Sequence, residues 1–279
     1  MGFVILEKSE ICPNTKLIIV QAPQVSRKAE AGQFVTLILD ETGERIPLTL
    51  ADWDMESGTI TLIFQEIGKS TYQLGSMKPG EEIAHLVGPL GKPSEIKNYG
   101  TVLMAAGGVG VAPIYPIARA LKQAGNQVLT VLAARCADLL FWEDRFCSLS
   151  SETKVCTDDG SKGIKGVVTV PIKDLLEEQK GKIHRVYAIG PAIMMKFVAQ
   201  LTKTYQIPTV VSLNAIMVDG TGMCGACRVE VGGKTKFSCV DGPEFDGHQV
   251  NFELLIERQK MYLAEEKISL AAYQSRVGA

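Results

Sequence analysis

The pattern of apolar residues changes at residue 101, and this change constrains the fold more than any other feature of the chain. Residues 101–106 form a mostly apolar run, glycines follow at positions 107, 108 and 110, and a helical pattern starts at Val111. A strand, a glycine turn and a helix in that order are typical of a parallel α/β unit. Similar stretches follow, with strands predicted at residues 128–133, 186–189 and 209–213 and a helix at 192–203. A parallel sheet flanked by helices is therefore predicted for residues 99–212.

The first 98 residues contain short strand-like stretches and no long helical period. Alternating or apolar runs occur at residues 16–21, 33–39 and 59–65. Proline and glycine residues separate these runs, as turns between short strands require. The pattern predicts a small antiparallel barrel.

Length and charge limit the remaining possibilities. A chain of 279 residues lies near the size at which single cores stop growing, so two or three domains are expected. A net charge of −2 gives no electrostatic footprint for nucleic acid. The apolar run at residues 3–6 is too short for a signal peptide, and no window approaches the ~18 apolar residues of a membrane span. A cytoplasmic protein without nucleic-acid or membrane partners is expected.

Residues 213–279 contain a spacing of possible metal ligands. Asp219, Cys224, Cys227 and Cys239 reproduce the plant-type C-x4-C-x2-C pattern with its distant fourth thiolate, except that a carboxylate occupies the first position. Because carboxylates also bind iron, the four side chains are predicted to ligate a [2Fe-2S] cluster. Two alternatives remain open at this point. The cysteines could bind structural zinc together with His248 or Asp219, or Asp219 could only form a turn with the next glycine.

The rest of this segment predicts a hairpin and a terminal helix. Residues 228–231 and 235–239 form two strand-like runs that turn at Gly232 and Gly233. Apolar residues recur at near-helical intervals over residues 251–273, with Glu and Lys between them. One continuous helix is expected there.

The glycine turn after residue 106 predicts a phosphate site. Gly108, Gly110 and Pro113 lie where a strand passes into a helix, and bare backbone N–H groups at a helix N-terminus attract a pyrophosphate. A second glycine turn, at Gly190, follows a later strand and could converge on the same ligand. Taken alone, the first turn could equally be one that merely packs closely.

Two segments of the predicted barrel could also hold a diphosphate. Arg45-Ile-Pro-Leu-Thr49 offers a guanidinium and a hydroxyl beside a rigid proline, which suits phosphate binding. The segment Gly68-Lys-Ser-Thr71 could add backbone donors to the same group. In isolation, either segment would more often be an ordinary exposed strand or turn.

In this order, the motifs resemble those of the ferredoxin-NADP reductase superfamily. In that superfamily an Arg-x-Pro-x-Ser/Thr flavin motif in a barrel precedes a Gly-x-Gly-x-x-Pro nicotinamide motif, and the resemblance spans residues 1 to about 250. The added cluster loop is similar to the branch of dihydroorotate dehydrogenase electron-transfer subunits, which carry FAD and a [2Fe-2S] cluster and normally use four cysteines. The aspartate at position 219 resembles the small subunits of NADH-dependent reduced ferredoxin:NADP oxidoreductase, the sulfide dehydrogenase type, whose cluster has one Asp and three Cys ligands.

This resemblance implies roles for individual residues and names no catalytic acid or base. The residues implied to line FAD are Arg45, Pro47, Leu48, Thr49, Gly68, Lys69, Ser70 and Thr71. Those implied to lie near the nicotinamide nucleotide are Gly108, Gly110, Pro113, Arg135, Asp158, Asp159, Gly160 and Gly190. The superfamily often has Cys before the last glycine, where this chain has Ile189. The resemblance also favours NAD(H), although Arg135 could contact a 2′-phosphate.

The three cofactors together predict an electron-transfer subunit. A nicotinamide carries two electrons as a hydride and a [2Fe-2S] cluster handles one, so FAD would convert between them. The electron on the cluster needs an acceptor, which implies a partner. In the family it resembles, that partner is a larger FAD and [4Fe-4S] subunit that couples NADH, NADPH and ferredoxin in electron bifurcation. The alternatives are a subunit of an NAD-dependent dihydroorotate dehydrogenase and a zinc-stapled nucleotide-binding regulator. The domains expected are residues 1–98, 99–212 and 213–279.

Overall fold

The computed structural model describes residues 2–41 and 43–277. The first segment, up to Leu90, contains one antiparallel sheet. Its strands are β1 (Phe3–Cys12), β2 (Thr15–Gln21), β3 (Phe34–Ile38), β4 (Ile46–Asp54), β5 (Thr59–Gln65), β6 (Glu82–Ile83) and β7 (His85–Leu90). Two short helices, α1 (Pro23–Ser26) and α2 (Lys69–Ser76), accompany them. The strand order is β6-β1-β2-β5-β4-β3-β7, and every pairing is antiparallel. The sheet curls into a near-barrel, which confirms the predicted class.

Alternation of side chains along the strands builds the core of this segment. Ile18 and Val20 on β2 lie opposite Leu62 and Ile60 on β5, and all four side chains are fully buried. Because successive strand residues point to opposite faces, the period-2 apolar pattern places these side chains on one inner face. The observed strands β2, β3 and β5 match the sequence prediction to within a residue.

The second segment is a parallel α/β sheet, as predicted. Its strands are β8 (Thr101–Gly107), β9 (Gln127–Ala134), β10 (Glu152–Thr157), β11 (Ile164–Lys165), β12 (Ile183–Ile189) and β13 (Thr209–Ser212). Its helices are α3 (Val111–Gln123), α4 (Glu143–Leu149), α5 (Thr169–Glu178) and α6 (Ala192–Thr204). The strand order is β11-β10-β9-β8-β12-β13, with β8 buried along its whole length at the centre. Strand β10 was absent from the sequence prediction because its first half is polar and only half-buried.

The third segment contains the predicted hairpin but not one continuous terminal helix. Its elements are β14 (Arg228–Val231), β15 (Lys234–Phe237), α7 (Ser238–Asp241), β16 (Glu244–Asp246), α8 (Phe252–Gln259) and α9 (Leu263–Val277). The prediction of one helix over residues 251–273 is wrong, because a turn at residues 260–262 separates α8 from α9. At the break, Met261 N donates to Arg258 O at 3.2 Å, a tight turn that ends α8. The apolar side chains there, including Met261 and Tyr262, are exposed and contribute no core contact that would keep the helix continuous.

The second and third segments share a sheet. Strand β16 pairs antiparallel with β13, so Glu244 lies opposite Ser212 and Asp246 opposite Val210. One apolar cluster also joins buried residues of β8 and β12 to Cys227 and Cys239. The loop that carries Cys224 and Cys227 therefore packs on the edge of the parallel sheet, and the division at residue 212 stays a prediction.

Within the part of the chain that the structure describes, no helix combines the length and apolar character that a membrane span needs.

Candidate functional site

The glycine turn after β8 packs directly against the end of β12. Gly110 is the residue before α3, and a Cβ atom there would come within 2.2 Å of the Ile189 carbonyl oxygen. A Cβ atom on Gly190 would lie 3.0 Å from the Gly107 carbonyl oxygen. The two turns named in the sequence prediction thus meet at the carboxyl ends of neighbouring parallel strands, where open α/β sheets bind their ligands.

The other residues implied for the nucleotide lie at the same edge of the sheet. Asp158 N donates to Ala134 O at 3.1 Å and Asp159 N donates to Arg135 O at 3.2 Å, so the ends of β9 and β10 are joined. The Asp159 carboxylate accepts from Ser161 N at 2.9 Å and from Ser161 Oγ at 2.6 Å. These hydrogen bonds lower the pKa of Asp159. The region therefore presents a fixed carboxylate, the group with which such sheets contact a ribose hydroxyl.

The two barrel segments implied for FAD are also brought together. Arg45 directly precedes β4, on which Pro47 and Thr49 pair with Thr36 and Phe34 of β3. The second segment, 68–71, forms the start of α2. Ser70 Oγ donates to Glu44 Oε2 at 3.0 Å, which ties α2 to the residue before Arg45.

The Thr71 side chain caps the N-terminus of α2. Thr71 Oγ1 accepts from Ile67 N at 3.0 Å and from Gly68 N at 3.1 Å, and it donates to Gly68 O at 2.9 Å. A side chain that satisfies backbone donors in this way stabilises the first turn of a helix. The segment predicted to supply donors to a diphosphate is thus held in a defined turn.

Two of the four predicted cluster ligands are buried and in contact. Cys227 Sγ lies 3.1 Å from Cys239 Sγ, and Cys239 N donates to Cys227 Sγ at 3.4 Å. Burial, together with the neighbouring thiol, raises the pKa of Cys239 to about 12. The raised pKa favours the protonated thiol. A bound metal cation favours the thiolate instead, because it deprotonates the thiols that coordinate it. Two adjacent thiols therefore suit a metal cluster.

The third thiol lies at the exposed side of the loop. Cys224 Sγ accepts from Ala226 N at 3.5 Å, and this backbone donor lowers the pKa of the thiol. Among residues 2–41 and 43–277, no group of three or more His, Cys, Asp or Glu side chains is placed to hold a single metal ion. A [2Fe-2S] cluster distributes its ligands over two irons, and N–H to sulfur hydrogen bonds of this kind accompany such clusters.

Asp219 is held as a carboxylate by neighbours on both sides. Its Oδ2 accepts from Thr221 N at 3.0 Å and from the Thr221 hydroxyl, while its Oδ1 contacts Arg45 Nη1. The hydrogen bonds from Thr221, followed by that from Arg45, lower the pKa of Asp219. An ionised carboxylate is a suitable fourth donor for iron.

The cluster loop needs glycine where it turns against the barrel. Gly220 has φ +86° and Gly222 has φ +89°, a region that other residues rarely adopt. A Cβ atom on Gly220 would come within 2.8 Å of Thr36 Cγ2. Thr36 lies opposite Pro47, so the loop rests on the strand pair that carries the flavin segment.

The sequence reasoning missed an ionic cluster where the first two segments meet. Arg119 Nη1 of α3 lies 2.7 Å from Asp52 Oδ1 of β4, and Arg145 Nη1 of α4 lies 3.5 Å from Asp52 Oδ2. Arg119 also lies over the ring of Trp53, with Cζ 5.5 Å from its centroid. No local motif surrounds these residues, so only a prediction of long-range contacts could have found them.

Comparison with known proteins is consistent with this arrangement. Residues 214–251 match the model for the iron-sulfur cluster binding domain of dihydroorotate dehydrogenase B, and residues 104–200 match that for the oxidoreductase NAD-binding domain. The chain is 48% identical over 274 residues to a Thermotoga maritima homologue of the dihydroorotate dehydrogenase B (NAD+) electron transfer subunit, covering 98% of this chain and 96% of the relative. The chain belongs to the family of dihydroorotate dehydrogenase B electron-transfer subunits.

Further members and solved structures place the chain within this electron-transfer subunit family. The dihydroorotate dehydrogenase B (NAD+) electron transfer subunit of Desulforamulus reducens is 33% identical over 251 residues, covering 87% of this chain and 95% of that one. A chain from the NADH-dependent reduced ferredoxin-NADP oxidoreductase structure, solved to study flavin-based electron bifurcation, is 47% identical. It superposes with a TM-score of 0.92 over 98% of both chains. Phthalate dioxygenase reductase, 17% identical with a TM-score of 0.59 over 83% of this chain and 86% of that one, shares the fold.

These findings confirm several sequence predictions. The family resemblance, the ferredoxin-reductase-like fold and the oxidoreductase class are confirmed. So is the cofactor set of FAD, NAD(H) and a [2Fe-2S] cluster, through the two domain models and the reductase fold. The chain is an electron-transfer subunit of a flavin and iron-sulfur oxidoreductase, which implies a partner subunit.

Proposed function

We propose that this chain passes electrons between NAD(H), FAD and a [2Fe-2S] cluster as one subunit of an electron-bifurcating NADH-dependent ferredoxin:NADP oxidoreductase. The observation that carries the proposal is the contact between the flavin segment and the cluster loop, through Arg45 and Asp219. The structural match at a TM-score of 0.92 supports this choice of complex. An aspartate in the first ligand position supports it further.

The site residues take the roles that the resemblance implies. FAD would be bound by Arg45, Pro47, Leu48, Thr49, Gly68, Lys69, Ser70 and Thr71. The nicotinamide nucleotide would be bound by Gly108, Gly110, Pro113, Arg135, Asp158, Asp159, Gly160 and Gly190. The cluster would be ligated by Asp219, Cys224, Cys227 and Cys239. When bound, the flavin accepts two electrons together and releases them singly.

The chain itself would bind and orient these groups without supplying an acid or a base. The turn is open at Gly108, where a Cβ atom would meet nothing within 4 Å, so a diphosphate could approach the start of α3 there. Arg45 would place one cation between the flavin and the cluster loop. The buried pair Cys227 and Cys239 would fix the cluster on the side away from solvent, with Cys224 on the outer side.

The partner we propose is a larger subunit with FAD and [4Fe-4S] clusters, in a cytoplasmic heterodimer. Ferredoxin and NADPH would react indirectly, through that subunit. The match to a chain of the NADH-dependent reduced ferredoxin-NADP oxidoreductase supports this proposal.

Anaerobic reduction of the purified chain with NADH and NADPH in parallel tests the proposal. Flavin absorption should bleach faster with NADH, and a reducible [2Fe-2S] spectrum should accompany it. Faster reduction by NADPH would overturn the choice of nucleotide. Colourless protein with stoichiometric zinc would overturn the redox function and favour a zinc-stapled regulator.

A second candidate function is the electron-transfer subunit of an NAD-dependent dihydroorotate dehydrogenase. The 33% identity to the Desulforamulus reducens subunit favours it. Co-purification from the native cell distinguishes the two functions. A dihydroorotate-oxidising partner would overturn our choice, and an iron-sulfur flavoprotein partner would support it.

A further inference from the structure

Arg45 links the segment proposed to bind FAD with the loop proposed to bind the cluster. Its Nη1 contacts Asp219 Oδ1 and lies 3.4 Å from the Asp219 carbonyl oxygen. The other carboxylate oxygen of Asp219 is held by Thr221. The carboxylate thus has a cation on one side and two neutral donors on the other.

Packing around this ion pair fixes its geometry. Gly220, the next residue after Asp219, lies so close to Thr36 that a Cβ atom would approach Thr36 Cγ2 to 2.8 Å. Thr36 pairs across the sheet with Pro47, two residues after Arg45. The backbone on both sides of the pair is therefore held by the same two strands. A solvent-exposed ion pair contributes little to stability, so stability alone gives little reason for this arrangement.

We infer that Arg45 is a positioning residue for the iron-sulfur cluster, acting through its contact with the carboxylate of Asp219. The inference rests on the proposed function, because it takes Asp219 as an iron ligand. Partners that hydrogen-bond a ligating carboxylate orient it and tune the metal. A cation on that carboxylate also stabilises the reduced, more negative cluster, because opposite charges attract.

The same side chain can serve the flavin. A guanidinium carries five N–H donors in a planar fork, and both contacts with Asp219 are made by Nη1. The remaining donors suit a phosphate oxygen, since arginine binds phosphate through two parallel hydrogen bonds. The Arg45 guanidinium would then lie between the flavin and Asp219, the proposed ligand of the cluster.

The first experiment measures the cluster potential in the full chain carrying Arg45→Met. Reductive titration followed by electron paramagnetic resonance should show the equilibrium constant for one-electron reduction falling about tenfold, which is about 59 mV. Arg45→Lys keeps the charge and should recover part of this shift. An unchanged potential in Arg45→Met protein that retains its flavin and cluster would overturn the inference alone. Wild-type protein that lacks both spectra would overturn the proposed function as well.

Arg228→Met is the matched control for loss of a cation. The Arg228 guanidinium donates to the Gly225 carbonyl oxygen at 3.2 Å, so it contacts the same loop without contacting Asp219. Arg228→Met should shift the cluster potential by less than half of the shift that Arg45→Met causes. An equal shift would mean that any nearby cation suffices, and the inference would be wrong.

A double variant tests whether Arg45 acts through Asp219. In an Asp219→Cys background the carboxylate is absent, so Arg45→Met should shift the potential by less than half of its effect in the wild type. If Arg45→Met alone loses the cluster, the double variant should retain it. A full-sized shift in the Asp219→Cys background, or loss of the cluster in both variants, would overturn the inference.

Discussion

Glu244 carries a carboxyl group that three parts of the chain enclose. Ser94 Oγ, from the connection between the first two segments, donates to Glu244 Oε1 at 2.5 Å. A Cβ atom on Gly32 of the barrel would lie 3.1 Å from the same oxygen. Burial raises the pKa of Glu244 to about 7, against the opposing effects of Ser94 and Arg185. At the residue scale, a side chain with an ordinary sequence context thus becomes titratable near neutral pH.

This raised pKa predicts that stability depends on pH. Between pH 4.5, the ordinary value, and about 7, the folded protein binds this proton and the unfolded chain has released it. Stability therefore falls as pH rises through that window, by at most about 3 kcal/mol. Glu244→Gln cannot ionise, so its free energy of unfolding should decline less between pH 5 and pH 8. Denaturant unfolding at the two pH values measures the difference.

Glu7→Gln is the control, because Glu7 lies exposed on β1. It should leave the pH dependence as in the wild type. If Glu244→Gln behaves in the same way, the carboxyl group is ionised throughout and the assignment of its pKa is wrong.

At the scale of elements, the turn between β8 and α3 has no room for a side chain. Gly110 has φ −61°, so its backbone conformation is ordinary and only its contact with the Ile189 carbonyl oxygen demands glycine. Gly110→Ala should destabilise the fold by about 1–3 kcal/mol, because the backbone of β12 must move. The displaced turn should also weaken NADH binding about tenfold or more, measured by fluorescence titration.

Gly181→Ala separates this steric effect from the general effect of replacing glycine. Gly181 has φ +74° with open space around it, in the turn between α5 and β12. Its replacement should destabilise the fold by about 1–2 kcal/mol through the backbone alone and leave NADH binding unchanged. Equal losses of NADH affinity in both variants would contradict the role given to Gly110.

Elements with a strong apolar period were predictable, and elements defined by partners were not. Strand β8 and the start of α3 follow from residues 101–113, because a buried central strand is apolar throughout. The break between α8 and α9 did not follow, since it depends on residues such as Met261 and Tyr262 that are about half exposed and lie outside the apolar clusters. The pairing of β16 with β13 did not follow either, because three residues carry no period.

At the scale of the whole molecule, Asp52 ties the flavin barrel to the nucleotide segment. It accepts from Arg119 and Arg145, and both guanidinium groups also lie over the ring of Tyr115. Asp52→Ala would leave two like charges facing each other between the segments. We expect FAD and NADH still to bind, while reduction of the flavin by NADH slows about tenfold, since hydride transfer depends on alignment. Anaerobic stopped-flow absorbance measures this rate.

Glu178→Ala is the control for loss of a carboxylate. Glu178 pairs with Lys154 at 2.9 Å within the nucleotide segment, away from the barrel. Its removal should not change the rate of flavin reduction. An unchanged rate in Asp52→Ala would show that the two segments keep their alignment without this cluster of charges.

The sequence by itself determined the elements and motifs whose physical cause is local. Apolar period decides which strands are buried, glycine decides where the chain can turn, and the intervals from Asp219 to Cys239 predict which donors would share a cluster. Only the tertiary structure decided which of these parts touch. The contacts of Arg45 with Asp219 and of Ser94 with Glu244 join residues 174 and 150 positions apart. Charge and burial depend on such neighbours, and no local pattern in the chain specifies them.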